Sequence, residues 1–102
     1  MLETAATARD TAPMPRVSFP QVLQRHVVCP PIDVEGRTVR EAFDAAFLVY
    51  PTVRGYLLDD TGALRQHVTV FVDGAVVRDR SGLAQRIAPL AHIDVLQALS
   101  GG

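Results

Sequence analysis

The sequence has no lysine, no tryptophan and a single cysteine, and no apolar run approaches the roughly 18 residues of a membrane span. The lone Cys29 excludes an internal disulfide and gives no CxxC spacing for metal or redox chemistry. Formal net charge is −1, so nucleic-acid binding has no electrostatic support. The stretch from Met1 to Pro15 lacks the apolar core of a secretory signal, and Glu3 and Asp10 argue against a transit peptide. A cytoplasmic address is therefore expected, with neither membrane nor nucleic acid as a partner. All ten basic residues are arginine. The bland reading of that bias is the codon usage of a GC-rich genome, and one chemical consequence holds whatever its origin. The chain offers no side-chain amine for an isopeptide bond, so it cannot be linked to copies of itself through lysine.

Catalytic signals are equally sparse. No serine sits in a nucleophile elbow, and no glycine-rich loop is spaced to cradle a phosphate. His26, His67 and His92 are dispersed, without a paired acid at ligand or catalytic spacing. Asp59 and Asp60 are adjacent carboxylates in a turn, but without further oxygen ligands at ordered spacing they read as a solvated loop. As an enzyme the chain is almost blank: no catalytic residue, no metal and no bound cofactor are expected.

What is present is patterned. With 102 residues and 48% hydrophobic content, the chain fits one domain with one core. Residues 1–15 are rich in Ala, Thr and Pro and are expected to be a disordered extension, followed by a folded domain over 16–98 and a flexible tail over 99–102. Val17 to Leu23 alternates in its first half, and His26 to Cys29 could continue it. Cys29-Pro30-Pro31 reads as a turn, and Ile32 to Glu35 as a second strand closed by Gly36. Thr38 and Glu41 have capping-box spacing. Behind them Val39, Ala42, Phe43, Ala46, Phe47 and Tyr50 form one apolar helical face that ends at Pro51. Val53 to Leu58 reads as extended, and Asp59 to Gly62 as a turn.

A hairpin follows. Val68, Val70 and Val72 share one face, His67, Thr69 and Phe71 the other, and Asp73-Gly74 is a two-residue turn before Ala75 to Arg78. Leu83, Ile87 and Leu90 suggest a short helical turn interrupted by Pro89, and Ile93 to Leu99 a last strand. One main helix packed on one face of a four- to five-stranded mixed sheet is a two-layer α+β domain. Its other face stays open. Phe71 and Leu96 fall on that open face, with Val76 nearby, and together with Leu99 are the expected partner-docking residues.

The chain ends in Gly101-Gly102. A terminal carboxylate has an ordinary pKa of about 3.3 to 3.7 and is an ionised oxygen nucleophile at neutral pH. Two residues without Cβ can pass through a narrow channel. Taken alone, this could be a frayed end or the substrate of another enzyme.

Tyr50-Pro51, the run Asp59-Asp60-Thr61-Gly62-Ala63-Leu64-Arg65, the stretch from Val68 to Gly74, and Gly101-Gly102 occur in an order and spacing that resemble the MoaD/ThiS sulfur carriers. These are ubiquitin-like β-grasp proteins, and the pattern is closest to the longer members linked to cysteine synthesis. The resemblance runs from about Val17 to Gly102. It departs at Ala91-His92-Ile93-Asp94 and Gln97-Ala98-Leu99-Ser100, where the family often has an Asp-Gly-Asp turn and a Pro-Ala-Val-like run. It implies a sheet with its first and last strands parallel at the centre. It also implies that Gly102 is the covalent carrier and Gly101 gives clearance. A ubiquitin-activating-like adenylyltransferase, using its own ATP and magnesium, would adenylate Gly102, which is then converted to a thiocarboxylate. The sulfur would pass to an accepting biosynthetic enzyme for cysteine, molybdopterin, thiamine or a secondary metabolite, and a metallopeptidase acting on the C-terminal adduct is a further implied partner. Two alternatives stay open: a ubiquitin-like modifier joined through Gly102 to target lysines, and a β-grasp binding module whose Gly-Gly is incidental.

Overall fold

The computed structural model describes residues 14–97. The expected tail, with Leu99, Gly101 and Gly102, and nearly all of the expected N-terminal extension lie outside the described residues. The elements are β1 (Arg16–Ser18), α1 (Gln21–Gln24), β2 (Ile32–Asp33), α2 (Val39–Val49), α3 (Pro51–Leu57), β3 (Val68–Val72), β4 (Ala75–Val76) and β5 (His92–Gln97). The strands form one sheet in the order β2-β1-β5-β3-β4. β1 and β5 run parallel at the centre, with Val17 opposite Ile93, and the other three pairings are antiparallel. This is the expected mixed five-stranded α+β arrangement, the ubiquitin-like β-grasp fold.

The core lies between one sheet face and the helices. Val17, Val68, Val70, Ile93 and Val95 point into it from the strands, and Val39, Ala42, Phe43, Ala46 and Phe47 from α2. Phe43 and Phe47 pack with ring centroids 5.7 Å apart. The start of α2 shows why the helix begins where it does. Thr38 Oγ1 accepts the Glu41 amide at 3.1 Å, while the Glu41 carboxylate reaches back to the Arg37 amide at 2.8 Å. The capping box is therefore present, displaced by one residue on its return arm.

Three expectations fail, each for a visible reason. Val53 to Leu58 is not extended: Pro51 to Leu57 is a second helix, with Pro51 at its start. Proline ends α2 because it disfavours helical angles at Tyr50, yet its fixed φ suits the first turn of the next helix. Val53 and Leu57, four residues apart, are both buried. The region after Ser18 does not continue as a strand, because Pro20 sits at the N-terminus of α1, its carbonyl accepts the Leu23 and Gln24 amides, and Leu23 is buried.

The third concerns residues 83–90, which form no helical turn. Their carbonyls serve α2 instead: Leu83 O accepts the Arg40 amide at 2.9 Å and Gln85 O the Val39 amide at 3.0 Å. These satisfy two of the amides that a helix start leaves without an intrahelical partner. Leu83 buries its side chain fully at φ +54°, a left-handed conformation costly for a residue with a Cβ, while Leu90 is exposed. Asp79 accepts the Gly82 and Ala84 amides, and the Arg40 guanidinium bonds the Gly62, Ser81 and Gly82 carbonyls, pinning both flanking loops to the helix.

Candidate functional site

The hairpin and the last strand build the site. Asp73 and Gly74 both take positive φ (50° and 86°), as a tight two-residue turn requires, and this sets the register of β3 on β4. With the three valines of β3 buried, Thr69 and Phe71 must face outward, and both are half-buried. Strand β5 alternates in the same way: Ile93 and Val95 are buried, while His92, Asp94 and Leu96 emerge on the open face. Pairing then brings the open-face residues into rows. Phe71 lies opposite Val76 on one side and Asp94 on the other, and Thr69 lies opposite Leu96.

Three of the expected docking residues are therefore gathered on one surface. Leu96 is 51% exposed, Val76 45%, and Phe71 is half-buried between them. Leu96 and Phe71 are diagonal neighbours across the β3–β5 pair, within reach of an aromatic side chain. Leu99, Gly101 and Gly102 lie outside the described residues. Gln97, opposite Val68 on the strand that carries Leu96, is the last described residue.

Polar residues that composition alone did not single out share this face. In β1, Arg16 stands opposite His92 and Ser18 opposite Asp94. Arg16 is turned the other way, toward the sheet edge, where its Nε donates to Asp33 Oδ1 at 2.9 Å. The alternation of β5 was the signal that could have found Asp94, since it is two residues from Leu96 on the same side.

Asp59 and Asp79 hold loops together. The Thr61 hydroxyl and amide keep the Asp59 carboxyl below the ordinary carboxylate range, fixing the turn after α3. The Ala84 and Gly82 amides do the same for Asp79. Burial pushes the Cys29 thiol up, away from the reactive thiolate form. Among the described residues no group of three or more His, Cys, Asp or Glu is placed to hold a metal ion. An open cleft of about 350 Å³ between Pro15, Glu35 and Ile87 lies apart from the Phe71 surface.

A mixed sheet of this strand order with its helices on one face defines a class, the ubiquitin-like β-grasp proteins. Solved structures place the chain within that fold more narrowly. It superposes on CysO from the Amycolatopsis orientalis BexX/CysO complex with a TM-score of 0.74 and 25% identity, covering 86% of this chain and 99% of that one. Mycobacterium tuberculosis CysO matches with a TM-score of 0.72 and 26% identity over 83% of this chain and 99% of its own. SAMP1 from Haloferax volcanii matches in fold with a TM-score of 0.72 and 21% identity, over 86% and 98% of the two chains. The resemblance to ubiquitin-like sulfur carriers, CysO among them, thus extends from sequence motifs to the fold. No protein-family model matches the sequence, and no curated protein matches it significantly.

Proposed function

We propose that this chain is a sulfur carrier that presents the Gly102 carboxylate to enzymes docking on the open sheet face. The observation that carries the reading is the placement of Phe71, Val76 and Leu96 on one surface, with Leu96 next to Gln97, the last described residue. Gly102 lies five residues beyond Gln97, a reach of at most about 18 Å. A partner seated on the patch can therefore hold the chain end in its own active site. The likeness to CysO and the presence of one CysO in a complex with BexX support a carrier that works through protein partners.

The chemistry follows from the carboxylate. One Gly102 oxygen attacks the α-phosphorus of ATP held by the activating enzyme, and pyrophosphate leaves. Hydrosulfide, as the sulfur nucleophile, then attacks the acyl carbonyl and AMP departs, leaving a thiocarboxylate. The catalytic groups for both steps belong to the partner. This chain supplies the nucleophile, the apolar docking residues and the clearance given by Gly101.

ATP–pyrophosphate exchange by the activating enzyme tests the reading. Removing Gly101 and Gly102 is expected to abolish exchange while the fold and docking persist, and undiminished exchange by the truncated chain would leave only the binding-module alternative. The likeness to SAMP1 and to a small archaeal modifier protein from Methanosarcina acetivorans gives the modifier reading a specific footing. That alternative predicts ladders of larger conjugates through target lysines.

A further inference from the structure

The apolar patch contains one feature that burial of apolar surface does not explain. In its central row, Asp94 on β5 lies directly between Ser18 on β1 and Phe71 on β3, and all three side chains are half-buried. Opposed residues in a sheet have Cβ atoms roughly 4.5 to 5.5 Å apart, so the carboxylate, the hydroxyl and the aromatic ring form one contiguous strip. Leu96 and Val76 border that strip. A partner that covered this surface with apolar groups alone would strip water from the Asp94 carboxylate without replacing it, a costly arrangement. The nearest cation in the sheet register, Arg16, is committed to Asp33 at the edge, with Nε 2.9 Å and Nη2 3.4 Å from the two carboxylate oxygens.

We propose that the Ser18–Asp94–Phe71 row is a seat for an arginine of the protein that docks on this face. Guanidinium suits the strip better than ammonium. Its planar fork can donate two parallel hydrogen bonds to the carboxylate while its face lies against the Phe71 ring, and it is more weakly hydrated. The partner surface is thus one with an arginine set among apolar side chains, and Asp94 selects it by rejecting a purely apolar or acidic surface. The inference rests on the docking reading of the open face and is independent of any chemistry at Gly102.

Amide chemical shifts of the full chain, titrated with the blocked peptide acetyl-Leu-Arg-Leu-amide and with its lysine and glutamine counterparts, test the seat. Shifts concentrated at Ser18, Phe71 and Asp94 are expected, with the arginine peptide binding at least about threefold more tightly than the lysine peptide. In Asp94→Asn the localised shifts disappear, whereas in Asp60→Asn, which removes an exposed loop carboxylate, they persist. Phe71→Leu keeps the apolar contact and loses the arginine-over-lysine preference. Shifts spread evenly over the exposed acids, equal binding of the arginine and lysine peptides, or binding unchanged in a folded Asp94→Asn would each overturn the proposal. If the peptide ignores Asp94 while Gly102 is still activated, the seat alone fails. If the peptide binds as described while Gly102 is never activated, the carrier reading alone fails.

Discussion

Leu96 and Ile93 lie three residues apart on one strand and point to opposite faces of the sheet, so replacing each with alanine separates docking from folding. Ile93 is fully buried between the sheet and the helices. Its truncation removes apolar contacts and leaves a cavity, a loss of about 2 to 5 kcal/mol for residues of this kind. In a domain of this size that lowers the thermal midpoint by about 10 °C or more. Leu96 keeps 51% of its surface exposed. Full burial of a leucine contributes about 1.5 to 3 kcal/mol, so the half covered in the free chain contributes about 1 kcal/mol to folding. The other half is what a partner can cover. If Leu96 is a binding anchor, its loss costs about 1 to 2 kcal/mol of affinity, a roughly five- to thirtyfold rise in Kd for the activating enzyme. Circular dichroism melts and titration calorimetry read the two quantities independently. The expected pattern is crossed: Ile93→Ala loses stability, and Leu96→Ala loses affinity. An unchanged Kd in Leu96→Ala, or a melting loss as large as that of Ile93→Ala, would refute the assignment of this face to docking.

Thr38→Ala removes the oxygen that caps the Glu41 amide, and urea unfolding is expected to show about 1 kcal/mol less stability. Gly36→Ala would place a Cβ 2.6 Å from the Ala42 nitrogen and 2.9 Å from its Cα, so the backbone of α2 must shift; a loss of about 1 to 3 kcal/mol in the same assay is expected. Asp79 has a lowered pKa in the folded chain, so it stabilises the fold above its unfolded value, near 3.9, and this contribution fades as pH falls through the folded value. The thermal midpoint of Asp79→Asn is therefore expected to fall below that of the parent at neutral pH and to converge with it in strong acid; a gap that persists at low pH would contradict the assignment.

The sequence made α2, the hairpin and the outward position of Phe71 and Leu96 legible because in each a local rule and the tertiary demand agree. Capping spacing and a 3.6-residue period specified the helix, and a period of two with Asp-Gly specified the hairpin. Where local signals pointed one way and the fold another, the fold prevailed. Val53, Gly55 and Tyr56 have weak helix propensity, yet Pro51 starts a helix because Val53 and Leu57 both reach the core. Leu83 and Ile87 resembled a helical turn by spacing, but no local pattern announces that their segment will surrender its carbonyls to the start of another helix. Asp94 was legible only in part: its alternation with Leu96 is in the sequence, whereas its position between Ser18 and Phe71 depends on a parallel pairing of strands more than seventy residues apart.

The central claim concerns what becomes of the chain end. Intact mass spectrometry of the chain, after incubation with its activating enzyme, ATP and a sulfur donor, examines it most directly. The account predicts a mass increase equal to exchange of one oxygen for sulfur, located at Gly102 and absent when ATP is withheld. An unchanged mass with exchange-competent enzyme, or conversion into larger lysine-linked conjugates without any thiocarboxylate, would contradict it.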